Sequence, residues 1–218
     1  MELTKEQIQE VESYLNAKEI NHVDVRIEVL DHMLTDIERL IEENEYDFER
    51  AFQLVSFKWN KHLVERTSFY FGVLYSAPRI VLNKAKKEFK KFYFILISSY
   101  FIPVVVLLNT NMKVSSEAIS LINPIISIVI IVFILFFINT YYKKSKTKLK
   151  TTYSFILKTQ KLSLLFLTFP LFGQEFINEN NEFNSIYIGL IMAFICSSIT
   201  TRYFYQKHVS VIYKYKNV

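Results

Sequence analysis

Residues 118–139 read AISLINPIISIVIIVFILFFIN, a stretch without one charged side chain. At about 1.5 Å of helical rise per residue such a run matches the roughly 30 Å hydrocarbon core of a bilayer. A soluble domain has no use for it, so this stretch decides the class of the chain. Working outward, residues 92–109 (FYFILISSYFIPVVVLLN) and 185–204, opening SIYIGLIMAFICSSITT, repeat the pattern. Residues 153–173 are predicted as a further span, although Lys158 and Lys161 interrupt the first half and leave only LSLLFLTFPLFG fully apolar. The whole chain agrees with this reading, with 218 residues, 51% hydrophobic, and only 3 glycines to make turns.

The links between these segments set an orientation, because lysine and arginine in short loops stay on the cytoplasmic side. TYYKKSKTKLKTT (140–152) carries Lys143, Lys144, Lys146, Lys148 and Lys150 with no acid. The link after residue 109 holds Lys113 and Glu117, and the link before residue 185 holds Glu175, Glu179 and Glu182 without a base. A basic tail with Arg202, Lys207, Lys214 and Lys216 ends the chain. Four spans with both termini in the cytoplasm satisfy every link, and this parity argues for the third span. The acidic, polar start excludes a cleavable signal peptide as an expectation. Lys-, Asn-, Ile- and Phe-rich, Gly-poor usage points to the cytoplasmic membrane of a bacterium of low genomic GC.

Charge divides the first ninety residues. Residues 1–60 carry fifteen acids against six bases, and residues 61–91 carry eight bases against two acids. A nucleic-acid-binding head would be basic, so nucleic acid is excluded as the main partner. The collar Lys84, Lys86, Lys87, Lys90 and Lys91, directly before the first span, is read as holding anionic lipid headgroups at about 1 kcal/mol per cation. Lys158 and Lys161 join that set by snorkelling to the same surface.

Within the acidic stretch, Thr4 and Gln7 form a capping-box pattern before Ile8, Val11 and Leu15. That helix is predicted to end near Lys18. A second follows, with Ile27, Leu30, Leu34, Ile37 and Ile41 as its apolar stripe. Asp47 caps a third, burying Phe48, Ala51, Phe52, Val55 and Trp59. TSFYFGVLYS (67–76) is predicted to lie against headgroups or the bundle, and Pro78 suits the start of a helix running into the first span. The expected architecture is all-α. A cytosolic three-helix module (1–66) is followed by an interfacial and juxtamembrane segment (67–91), a four-helix transmembrane bundle (92–205) and a cytosolic tail (206–218).

The stretches SYLNAKEI, VRIEVLDHMLTDIERLIEEN and DFERAFQLV together resemble the helical modules that open the HAAS-like family of small bacterial membrane proteins associated with PadR-type regulators. The resemblance covers about the first 65 residues and implies a regulatory or accessory role beside a protein partner. It carries no catalytic residues with it.

Candidate chemistry is sparse. Glu28, His32 and Asp36 stand at i, i+4 and i+8 and could offer oxygen and nitrogen to a metal ion, but with no second His-rich helix the reading is an acidic solvent face with His32 at its border and no metal. His208 with Tyr205 could form an acid/base pair at the membrane surface. No Asp, Glu, Arg or His lies mid-span, which argues against a proton- or ion-coupled transporter. Pro103, Pro124 and Pro170 can kink their helices, and Asn123, Ser127, Thr168, Ser197, Ser198 and Thr200 can hydrogen-bond between them. One cysteine, Cys196, excludes an intramolecular disulfide, and no nucleophile elbow, phosphate-binding glycine loop or cofactor motif is present. The reading is an accessory or regulatory membrane protein whose head binds a protein. The alternative is a membrane enzyme or small transporter for a lipid or apolar compound, with Lys158, Lys161, Tyr153 and His208 at the cytoplasmic ends.

Overall fold

A computed structural model describes residues 2–110, 112–167 and 176–215. The chain is mostly helical. Its elements are α1 (Lys5–Ala17), α2 (Val23–Asn44), α3 (Phe48–Leu63), β1 (Glu65–Ser68), β2 (Gly72–Pro78), α4 (Arg79–Asn109), α5 (Ser116–Ser145), α6 (Thr152–Gln160), a 3₁₀ segment (Lys161–Leu167) and α7 (Ser185–Tyr215). Two compact units form. One holds residues 1–87, 149–156 and 207–218, and the other 88–148 and 157–206.

In the first unit the caps are those expected. Thr4 and Gln7 cap α1 reciprocally, and Asp47 accepts the Arg50 N–H at 2.8 Å to start α3. Val11, Leu15, Ile20, Val25, Val29, Met33 and Ile37 are all fully buried, each contributing about 1.5–3 kcal/mol if a Leu-sized side chain is the guide. Only Ile37 of the predicted α2 stripe belongs to that set. The core takes Val25, Val29, Met33 and Ile37, one residue round the helix, while Ile27, Leu30, Leu34 and Ile41 are half-buried at its flank. An apolar arc wider than one stripe leaves neighbouring packings to decide which edge faces in. Tyr14 stacks edge-on against Phe52 and its hydroxyl lies 3.1 Å from both the Ser56 carbonyl and Asn60 Oδ1, pinning α1 to α3.

The all-α expectation needs an amendment at 65–78. This aromatic stretch folds as an antiparallel hairpin, with Arg66 opposite Ala77, Thr67 opposite Ser76 and a bulge between Thr67 and Ser68. Gly72 closes the turn with φ 89°, a conformation that glycine adopts without cost. The Arg79 N–H donates to the Val64 carbonyl at 2.9 Å, so α4 starts directly from the hairpin's base.

The second unit contains the apolar parts of α4, α5 and α7. Three helices, α4, α5 and α7, are long and apolar enough to cross a membrane among the described residues. Ile125, Ile128, Ile131, Val132, Leu135 and Ile138 of α5 are exposed, as lipid-facing side chains are. Ile130, Phe137, Leu167, Ile191 and Phe194 form the inner core. Gly189 lies where an added Cβ would come within 2.5 Å of Val104 Cγ2 and 3.0 Å of the Tyr100 carbonyl oxygen, so α7 approaches α4 closely without a GxxxG pair.

The predicted third span, 153–173, is corrected: among the described residues the helices long and apolar enough to span number three rather than four. Its described part is the short α6 followed by a 3₁₀ segment, and residues 168–173, with Thr168 and Pro170, lie outside the described residues. The physical reason is polarity. Thr159, Gln160 and Ser163 are buried within a stretch that lipid would have to surround, and the Ser197 hydroxyl lies 3.4 Å from Gln160 Oε1. Among the described residues, Ser127 and Ser198 donate instead to the Asn123 and Phe194 carbonyls on their own helices.

Candidate functional site: a buried polar junction

The first unit buries a polar cluster that no local pattern announces. Asp24, in the first turn of α2, has only 5% of its surface exposed. Its Oδ1 accepts the Thr152 backbone N–H at 2.9 Å. Oδ2 lies 3.5 Å from Lys84 Nζ, which also bonds Glu28 Oε2 at 2.7 Å. One carboxylate therefore sits at the positive N-terminal ends of both α2 and α6 and beside a cation, which offsets the desolvation of a buried charge.

The backbone continues the join. The Val23 N–H donates to the Lys150 carbonyl at 2.9 Å, and His22 and Lys150 pair as a short parallel bridge. Thr151 caps α6 by exchanging hydrogen bonds with Ser154, and its hydroxyl lies 2.8 Å from His208 Nδ1. Phe71 of the hairpin meets Phe155 edge-on at 5.3 Å, sealing the cluster with aromatic surface. His22 Nδ1 and Thr152 Oγ1 are buried there without a hydrogen-bond partner among the described residues. Burial is the main reason that His22 titrates below its ordinary value of 6.5, with Asp24 opposing the shift and Lys150 adding to it.

The Thr151–His208 pair has the spacing of a nucleophile and its base, but both residues are fully buried. A substrate cannot reach them, and the Thr151 hydroxyl already accepts the Ser154 N–H at 3.1 Å. What the cluster can do is couple. It ties α2, the start of α4, the 149–156 stretch and the end of α7 in one polar core, where losing any partner leaves another buried group unsatisfied.

The candidates read from sequence separate in space. Glu28 binds Lys84, His32 stacks on Trp59 at 6.5 Å, and Asp36 pairs with Lys58 at 2.7 Å and Arg39 at 3.1 Å. No group of three potential metal ligands occurs among the described residues. Of the collar lysines, Lys84 spends its charge inside the protein, Lys86 lies over the Tyr70 ring at 5.6 Å, and Lys91 over Phe92 at 5.0 Å; Lys87 and Lys90 are exposed. Lys158 is exposed, and Lys161 is held over the Tyr141 ring at 5.6 Å. Tyr205 stacks under Arg202, while His208 lies against Thr151. Asp24, His22, Thr151 and Thr152 carried no sequence signal beyond being polar. The chain matches no family model, no curated protein and no solved structure.

Proposed function

We propose that this chain is an accessory or regulatory protein of a bacterial cytoplasmic membrane, whose acidic helical head binds a protein partner. The observation that carries the reading is the Asp24 junction. It joins the head's second helix to segments on either side of the apolar helices, so force or charge applied to the head reaches them through a hydrogen-bonded contact. The outer faces of the head present Glu10, Asp31 and Glu43 to solvent, a surface that steers a basic partner. The HAAS-like resemblance of the first 65 residues points the same way.

Both termini are placed in the cytoplasm in this reading. Support comes from the second unit itself. The Tyr141 hydroxyl donates to the Leu157 carbonyl, Leu167 packs with Ile130, and the Val114 N–H donates to the Asn181 carbonyl at 2.8 Å. Leu157, Leu167 and Asn181 thus meet the chain in turn at the basic end of α5, along its length and at the 110–115 link.

Purification of the full chain from native membranes in mild detergent, with mass spectrometry of what stays bound, tests the proposal. A stoichiometric protein should be retained by the wild type and lost when Glu10, Asp31 and Glu43 are changed to lysine. Retention by the charge-reversed chain, or a protein that purifies alone, would overturn it.

A further inference from the structure

The hairpin and the first turns of α4 enclose an open cleft of about 370 Å³ in the first unit. Arg79, Asn83 and Lys86 line it at i, i+4 and i+7 of α4, one face of the helix, and Arg66, Thr67 and Ser68 line it from β1. Leu82, only 6% exposed, forms its floor. Among the described residues no carboxylate lines the cleft. Glu65, the nearest acid in sequence, has its Oε1 on the Ser76 hydroxyl at 2.7 Å. Neither Arg66 nor Arg79 forms an ion pair among the described residues, whereas Lys84, one turn from the cleft, is fully engaged with acids. Three cations held together without a counter-charge repel one another, and hydroxyl and amide donors beside them suit a tetrahedral oxyanion.

We propose that this cleft holds the phosphate of an anionic phospholipid. The lipid source is chosen by the hairpin tip. Phe69 is 94% exposed and Leu74 is 81% exposed, with Val73 beside them. Large apolar side chains flanking a cationic cleft are the composition of a membrane-interface element, and a site for free phosphate has no need of them. The inference uses the membrane reading alone. Failure to capture a protein partner leaves it standing.

The test is native mass spectrometry of the full chain in an uncharged detergent, titrated with phosphatidylglycerol or phosphatidylcholine. Wild type should retain phosphatidylglycerol preferentially. Arg66→Gln with Arg79→Gln should reduce that retention about tenfold, the scale of one lost charge-assisted hydrogen bond, while Lys146→Gln with Lys148→Gln leaves it unchanged. Phe69→Ser with Leu74→Ser alters only exposed side chains and should also lower retention. Millimolar inorganic phosphate should not displace the lipid. Full retention in either cleft or tip variant would overturn the proposal, and so would displacement by phosphate.

Discussion

The Asp24 carboxylate caps the backbone N–H of Thr152 at 2.9 Å, across 128 residues of sequence. Replacing Asp24 with Ala leaves that buried N–H without its acceptor and takes one of two carboxylates from Lys84, which keeps Glu28. The expected loss is about 2 kcal/mol, and Asp24→Asn, which keeps an acceptor oxygen, should lose less. Thermal unfolding of the detergent-solubilised chain gives the ranking, and hydrogen exchange at 151–156 should accelerate first in Asp24→Ala. Equal stability of all three proteins would remove the junction from the account.

His22 gives this junction a pH dependence. Above pH 6.5 the imidazole is neutral whether the chain is folded or unfolded. As pH falls below 6.5 the unfolded chain takes up a proton that burial denies the folded one, so stability declines until the lower folded pKa is passed. Exchange at 151–156 is expected to speed up on acidification through that window, and His22→Gln should flatten the profile. A slope that survives in His22→Gln would assign the dependence to another group.

Asp36 behaves in the opposite sense. Burial works to raise its pKa, but the hydrogen bond and charge of Lys58, with Arg39, outweigh burial and lower it below 3.8. The stability it contributes is present above pH 3.8 and is lost as pH falls through the folded value. Because Lys58 is largely exposed, Asp36→Asn should cost only about 0.2–1 kcal/mol at neutral pH. The same variant should melt with a shallower acid dependence than the wild type.

Gly189→Ala tests the helix packing of the second unit. The new methyl would meet Val104 Cγ2 at 2.5 Å and the Tyr100 carbonyl oxygen at 3.0 Å, and backbone cannot move aside cheaply. A loss of about 1–3 kcal/mol is expected, with partial rescue by Val104→Ala in a double-mutant cycle. Full stability of Gly189→Ala would mean that the helices do not approach as described.

What the sequence determined alone was everything that depends on local period and local charge. The runs at 92–109, 118–139 and 185–204 declare their helices, because an unbroken apolar stretch of that length has one economical conformation in a bilayer. Thr4 with Gln7 and Asp47 announce their caps because a cap is a contact between residues three apart. The same logic fails where partners are distant. TSFYFGVLYS gives no sign of a hairpin until Arg66 finds Ala77, and the apolar arc of α2 does not say which edge packs inward. The segment after Thr152 is apolar enough to suggest a span, yet its buried Thr159, Gln160 and Ser163 break it into α6 and a tighter turn. The basic 140–152 link and the acidic head are complementary in charge, but the bond that joins Asp24 to Thr152 uses a backbone N–H, which has no sequence signature. Only tertiary structure could select it, because the energy lies in burying one carboxylate at two helix ends that meet only once the chain has folded.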